Sequence, residues 1–169
     1  ELDRESITGN EASLFLKDLD STIEIAITPN RQDCLGVRGI ARDLAAKDVG
    51  SLKPLNYRKI EGKFDSPIIV NIANESKEKC QLFLGRYIRG VKNSESPKWL
   101  KDRLNSIGLK PISALVDVTN YITFDLGRPL HVFDAEKING DLKVRNSKKG
   151  EKILALDDKN YEFDSDTTI

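Results

Sequence analysis

The stretch SALVDVTNYITFDLGRPLHVFD, residues 113–134, decides the fold of the second half of this chain. Its apolar residues recur at three- and four-residue intervals, at Leu115, Val118, Ile122 and Leu126. That spacing predicts an amphipathic helix whose apolar stripe faces a core. Ser113 is a suitable N-cap, and Gly127, followed by Pro129, predicts the end of the helix.

Polar residues lie on this helix off its apolar stripe, and the only histidine of the chain follows it. The polar residues are Asp117, Asn120 and Thr123, and we expect the turn at Gly127 to bring His131 close to Asn120 or Asp117. Polar groups on a helix that packs need partners or a hydrated pocket. Two interpretations stay open: a functional site around His131, or helix capping and intramolecular hydrogen bonding.

The composition excludes several classes of protein. Basic and acidic residues each number 27 in 169, so the chain lacks the broad positive charge of an autonomous nucleic-acid binder. Two distant cysteines and one histidine cannot complete a zinc site, so we expect no metal. Without a signal peptide or a membrane-length apolar run, we expect a cytoplasmic chain with no membrane partner. Because methionine is absent, we expect both ends to be cuts in a longer polypeptide.

The first part of the chain predicts a strand, a turn and a helix. Residues 21–28 alternate between isoleucine and smaller or polar residues, which predicts a half-buried strand. Asp33 is a candidate N-cap for an amphipathic helix that ends near Gly50. Its apolar positions are Val37, Ile40, Ala41, Leu44 and Ala45. Residues 50–66 carry Gly, Pro and Ser with little periodicity, so we predict a linker there, with one segment spanning 1–52 and a second spanning 53–169.

The second segment predicts a mixed domain. Strand-like runs cover 67–74 and 81–91, and Ser96 with Pro97 predicts the start of a short helix. That helix has an apolar stripe of Leu100, Leu104 and Ile107. Residues 141–146 and 151–158 predict a hairpin, with a further strand at 160–163. The predicted class is α+β: a strand-turn-helix unit followed by a mixed α/β domain.

Two local patterns have competing interpretations. Gly36 and Gly39 form a GxxG, which we interpret as close helix packing and not as an RNA-clamping loop, since no exposed basic loop accompanies it. Basic residues surround Trp99 near the Ser96 helix, namely Lys92, Lys98, Lys101, Arg103 and Lys110. They predict either a groove along an RNA backbone or, as we favour, a solvated face balanced by Glu95 and Asp102.

Long motifs in the chain resemble a known family. The segments ITPNRQDCLGVRGIARDLAA (27–46) and GLKPISALVDVTNYITFDLGRPLHVFD (108–134) strongly resemble signature segments of the bacterial phenylalanyl-tRNA synthetase beta subunit. LGRYIRGV (84–91) and KGEKILALDDKNYEF (149–163) fit the same register. The resemblance covers nearly the whole chain.

The resemblance implies a domain organisation, partners and a reaction. It implies that 1–52 is the C-terminal half of a discontinuous N-terminal domain and that 53–169 is the first part of the editing domain, which hydrolyses tyrosine mischarged onto tRNA(Phe). It further implies an α2β2 heterotetramer with tRNA(Phe) and the alpha subunit as partners. ATP and magnesium belong to the alpha chain, so no cofactor is expected in this segment.

The resemblance also implies site residues. His131 matches the family's editing-site histidine, and Asn120 matches a pocket-lining asparagine. Lys110 stands where relatives often have arginine; lysine keeps the charge and loses bidentate geometry. Asp117 and Pro129 complete the expected substrate-binding set. Because the family's tyrosine-recognising acid and glycine-rich segment follow residue 169, we expect the chain alone not to edit efficiently.

Two other functions stay open. The segment fits a non-catalytic scaffold that positions tRNA within the same subunit, a reading that the lysine at position 110 permits. A freestanding editing protein that acts in trans is the other alternative. Such a protein has no need of the motif at 28–46, so the motif favours the synthetase subunit.

Overall fold

A computed structural model describes residues 21–169, and the chain divides into two compact units. The first contains the described residues 21–57 and 92–132, and the second contains 58–91 and 133–169. The sequence predicted a boundary at residue 52. In the structure, the helix Val37–Ala46 contacts the helix Ala114–Leu126, so parts of both predicted segments belong to the first unit. As a division of a longer family protein, that boundary stays a prediction.

The described part of the first unit contains three α-helices, and all three were predicted. They are α1 (Val37–Ala46), α2 (Lys98–Ser106) and α3 (Ala114–Leu126). Gly127 caps α3 in the left-handed conformation, at φ +66°. The predicted Asp33 cap is wrong: a 3-10 turn occupies Gln32–Cys34, and α1 begins after Gly36.

The strand predicted at 21–28 is not formed. These residues have no pairing partner among the described residues, and Ile23 and Ile25 are exposed. Alternation describes one face of a strand but supplies no neighbour for its backbone, and a strand needs that neighbour. The strand-turn-helix unit is therefore corrected to a turn and a helix.

The core of the first unit lies on α2. Leu100 and Leu104 are 0% and 1% exposed, and Trp99 meets Tyr121 of α3 edge to face with ring centroids 5.5 Å apart. The predicted stripe of α3 is corrected, because Val118 is half exposed while Asp117 is its buried side chain. α3 therefore turns a carboxylate inward.

The two glycines of the GxxG pack against backbone, as predicted. A Cβ on Gly36 would lie 2.2 Å from the backbone nitrogen of Gly127, where α3 ends. A Cβ on Gly39 would lie 1.9 Å from the carbonyl oxygen of Asp33. Only a hydrogen fits at either position, so these glycines let α1 approach both α3 and the turn before it.

The second unit contains four short strands in two pairs. β1 (Val70–Ile72) runs parallel to β2 (Leu142–Val144), with Val70 opposite Leu142. β3 (Glu151–Leu154) and β4 (Asn160–Phe163) form an antiparallel hairpin. The α+β class is thus confirmed.

The strand predictions of this unit need correction. The hairpin joins β3 to β4 and not residues 141–146 to 151–158, because β2 is already paired with β1. The tight turn lies at Leu156 and Asp157, and Asp158, which follows, adopts φ +60°. The run at 67–74 contains only the three residues of β1, and 81–91 contains no strand.

In the described residues 21–169, no helix has the length and apolar character needed to cross a membrane.

Candidate functional site

A cleft of about 300 Å³ opens between α2 and α3 in the first unit. Its walls carry charges of both signs and several polar groups, and they are formed by Glu95, Ser96, Lys101, Asn105, Lys110, Pro111, Ile112 and Asp117. The cleft brings together two predicted site residues, Lys110 and Asp117. Polar groups that converge on a cleft of this kind can orient a polar ligand.

Asp117 bonds intramolecularly through both oxygens. It is 1% exposed. Ser96 Oγ donates to Oδ2 at 2.5 Å, and the Ile112 backbone N–H donates to Oδ1 at 2.9 Å. The carboxylate therefore ties the entry of α2 to the entry of α3. Ser96, predicted to start α2, uses its hydroxyl for this contact and not as a helix cap.

Two of the five cations near Trp99 are paired with carboxylates. Lys98 pairs with Asp102 at 2.9 Å, and Lys101 pairs with Glu95 at 2.9 Å. The bond from Lys101 lowers the pKa of Glu95. The preference for a solvated face over an RNA groove at α2 stays a prediction.

The remaining predicted site residues lie along α3 and just after it. Asn120 is partly buried, one turn beyond Asp117. Pro129 and His131 are exposed in the segment that follows Gly127. None of these three lines the cleft of Lys110 and Asp117. A joint role for all five residues stays a prediction.

An ion-pair network around Arg31 was missed in the sequence. The guanidinium donates to Asp43 Oδ2 at 2.7 Å, to Asp33 Oδ1 at 3.0 Å and to the sulfur of Cys34 at 2.8 Å. Arg42 also pairs with Asp33. The only signal was that Asp33 and Cys34 lie in the turn before α1 and Asp43 lies on α1.

The network shifts the titration of its members. The bond from Arg31 lowers the pKa of Asp33 to about 2 and also lowers the pKa of Asp43. Burial raises the pKa of the Cys34 thiol, and bonds to Asp43 and Asp33 add to that effect. The ligand atoms of Asp33, Cys34 and Asp43 lie within 4.8 Å of one another, a spacing that suits a metal. Here Arg31 supplies the cation, so we assign a structural network.

We expect the network to stabilise the fold above the ordinary carboxyl pKa of 3.8. A lowered pKa in the folded state means that the contribution is present at neutral pH and is lost as pH falls from about 4 towards 2. Arg31→Gln should therefore lower the free energy of unfolding at pH 6, and its difference from wild type should shrink at pH 3. Urea unfolding at both pH values checks this, with the exposed Arg103→Gln as control. A difference that does not change with pH would contradict the assignment.

Comparisons with known proteins show the domain family to which this chain belongs and the proteins to which it is similar. The family profile of the B3/4 domain matches residues 79–169, more than half of the chain, and the chain belongs to this family. It is 55% identical over 158 residues to the phenylalanine–tRNA ligase beta subunit of Paramagnetospirillum magneticum, covering 92% of this chain and 20% of that protein. It is 60% identical over 145 residues to the beta subunit of Cereibacter sphaeroides, covering 85% and 18%.

The resemblance predicted from the motifs is thereby confirmed. A third relative, the beta subunit of Ruegeria pomeroyi, is 57% identical over 145 residues, covering 86% of this chain and 18% of that protein. The chain thus spans about a fifth of the length of the curated relatives it matches.

Proposed function

We propose that this chain is part of a phenylalanine–tRNA ligase beta subunit and contributes there to tRNA binding and to hydrolysis of tyrosyl-tRNA(Phe). The observation that carries the proposal is the identity of 55% over 158 residues to a curated beta subunit. An alpha partner in an α2β2 enzyme, ATP and magnesium in that partner, and a cytoplasmic location belong to the same proposal.

The chemistry gives a reason for such a site. Tyrosine is phenylalanine with one added hydroxyl, and an apolar synthetic pocket rejects that hydroxyl only by a factor on the order of a hundred. A second, polar pocket reverses the preference, because it bonds the hydroxyl and would leave its own groups unpaired with phenylalanine. Water then attacks the ester carbonyl, the bond to the ribose oxygen breaks, and that oxygen takes up a proton.

The residues divide between contact with the substrate and support of the fold. We assign His131 to orienting water or the ester and the terminal ribose, and Asn120 and Pro129 to the wall of the pocket. Lys110 supplies charge near the tRNA end as a single donor group. Asp117 positions the neighbouring chain and does not contact the substrate, because Oδ2 accepts from Ser96 and Oδ1 accepts from Ile112. Deacylation by the complete synthetase with His131→Ala tests the assignment.

A scaffold that positions tRNA without hydrolysis is the second candidate function. Two observations favour it: each oxygen of the Asp117 carboxylate accepts an internal hydrogen bond, and Lys101 at the cleft is paired with Glu95. One measurement separates the two functions. If the chain is a scaffold, substitutions in it change the affinity for tRNA without changing the rate at which bound tyrosyl-tRNA(Phe) is hydrolysed. A freestanding editing protein is disfavoured, because α1, which contains the second half of the motif at 28–46, packs against α3.

We expect the isolated chain to hydrolyse tyrosyl-tRNA(Phe) no faster than buffer. The reason is that the resemblance implies further pocket residues after residue 169, including the acid that binds the tyrosine hydroxyl. Release of labelled tyrosine over time measures the rate, with the complete synthetase as positive control. Turnover by the isolated chain above the buffer rate would show that residues 1–169 hold a sufficient site.

A further inference from the structure

Positive charge is concentrated on two segments of the second unit, residues 58–64 and 84–91, which we call the basic aromatic surface. It carries five cations and one carboxylate, whereas the whole chain has no net charge; the cations are Arg58, Lys59, Lys63, Arg86 and Arg89. The carboxylate is Glu61, which lies 3.7 Å from Lys59 in a pair that is more than 80% exposed on both sides. Such an exposed pair contributes little to stability. With five cations and one carboxylate, the surface stays positive.

The two segments are held together by their own side chains. Arg86 donates to the carbonyl oxygen of Ile60 at 2.6 Å. Phe64 meets Tyr87 edge to face, with centroids 6.1 Å apart and planes at 80°. The guanidinium of Arg89 lies 4.2 Å from the centre of the Phe64 ring and 5.8 Å from that of Tyr87. An exposed arginine is thus ordered over aromatic rings.

This arrangement favours RNA over other partners. A carboxylate-rich protein surface would need only the cations, whereas the exposed ring of Phe64, 46% accessible, and the planar group of Arg89 both suit stacking with a nucleobase. The surrounding cations suit the phosphates on either side of that base. The α2 face differs, because two of its five cations, Lys98 and Lys101, are paired with carboxylates there.

We infer that the basic aromatic surface binds an unpaired nucleotide of the RNA substrate, with Phe64 and Arg89 contacting the base and Arg86 and Lys63 near the phosphates. The inference rests on the proposed function for its substrate, tRNA(Phe). It adds a contact surface in the second unit, apart from the residues assigned to hydrolysis, all of which belong to the first unit.

The test uses the complete synthetase and an unmodified tRNA(Phe) transcript. Phe64→Leu removes the ring and keeps apolar volume, and Arg89→Lys removes the planar group and keeps the charge. Each substitution should raise the Kd for tRNA about tenfold. Arg86→Gln should reduce the slope of log K against log salt by about one. Phe83→Leu and Lys149→Gln, an exposed ring and an exposed cation outside the surface, are the matched controls. Thermal unfolding identifies any variant that loses its fold. The variants that remain folded then decide whether the surface binds tRNA.

The outcomes separate this inference from the proposed function. Weaker tRNA binding with an unchanged deacylation rate at saturating tRNA would support the surface, whatever His131→Ala does to hydrolysis. Wild-type Kd and salt slope in Phe64→Leu, Arg89→Lys and Arg86→Gln would overturn it. Intact tRNA binding with impaired assembly of α2β2, measured by sedimentation, would overturn it in favour of a protein partner.

Discussion

His131→Ala in the complete synthetase will lower the rate of tyrosyl-tRNA(Phe) hydrolysis about a hundredfold, the scale expected for losing one positioned catalytic imidazole. Aminoacylation with phenylalanine will stay unchanged, because the proposal places amino-acid activation in the alpha chain. His131 is exposed in the segment after Gly127, so its side chain is not part of the packed core. The loss should therefore appear in activity and not in stability.

The measurement is release of tyrosine from preformed tyrosyl-tRNA(Phe), with phenylalanyl-tRNA(Phe) as the competing substrate. Val132→Ala, in the adjacent position, controls for changes to the backbone of this segment. A variant that retains wild-type hydrolysis would return His131 to a structural role and favour the scaffold. Loss of aminoacylation alongside hydrolysis would show a general defect of the enzyme, which also contradicts a selective editing role.

Asp117→Ala will lower the free energy of unfolding, because Asp117 is the buried side chain of α3. It leaves the hydroxyl of Ser96, a residue that is 5% exposed, and the N–H of Ile112 without their acceptor. The unpaired hydroxyl of Ser96 costs about 2 kcal/mol of unfolding free energy, whereas Ile112 is 73% exposed and water can accept from its N–H. Asp125→Ala, a carboxylate of the same helix that is partly exposed, should cost far less.

Chemical unfolding of the two variants measures the difference, and a double-mutant cycle with Ser96→Ala measures the coupling. Because Ser96 and Asp117 share one bond, the double variant should lose less than the sum of the single losses. Additive losses, or a loss for Asp117→Ala below about 1 kcal/mol, would contradict the positioning role. An Asp117 variant that stays folded but loses ester hydrolysis would instead place this carboxylate in contact with substrate.

Local chemistry made the helices and the glycine contacts predictable. α2 and α3 were recognisable because proline, serine and glycine mark helix ends through backbone conformation, which depends on few neighbours. The close approach at Gly36 and Gly39 was predictable for a similar reason, since small residues within an apolar helix pattern indicate a nearby backbone. The long motifs at 27–46 and 108–134 also determined the family, independently of any fold.

Long-range contacts decided the rest. The parallel pairing of Val70 with Leu142 joins strands too far apart in sequence for a local pattern to specify, and it left the hairpin to β3 and β4. The orientation of Asp117 followed from the donors that Ser96 and Ile112 place around it, and not from helical periodicity. The basic aromatic surface likewise exists only because two segments of a neutral chain meet. Spacing along the chain specifies backbone conformation, whereas charge, burial and ring contacts depend on which segments fold against one another.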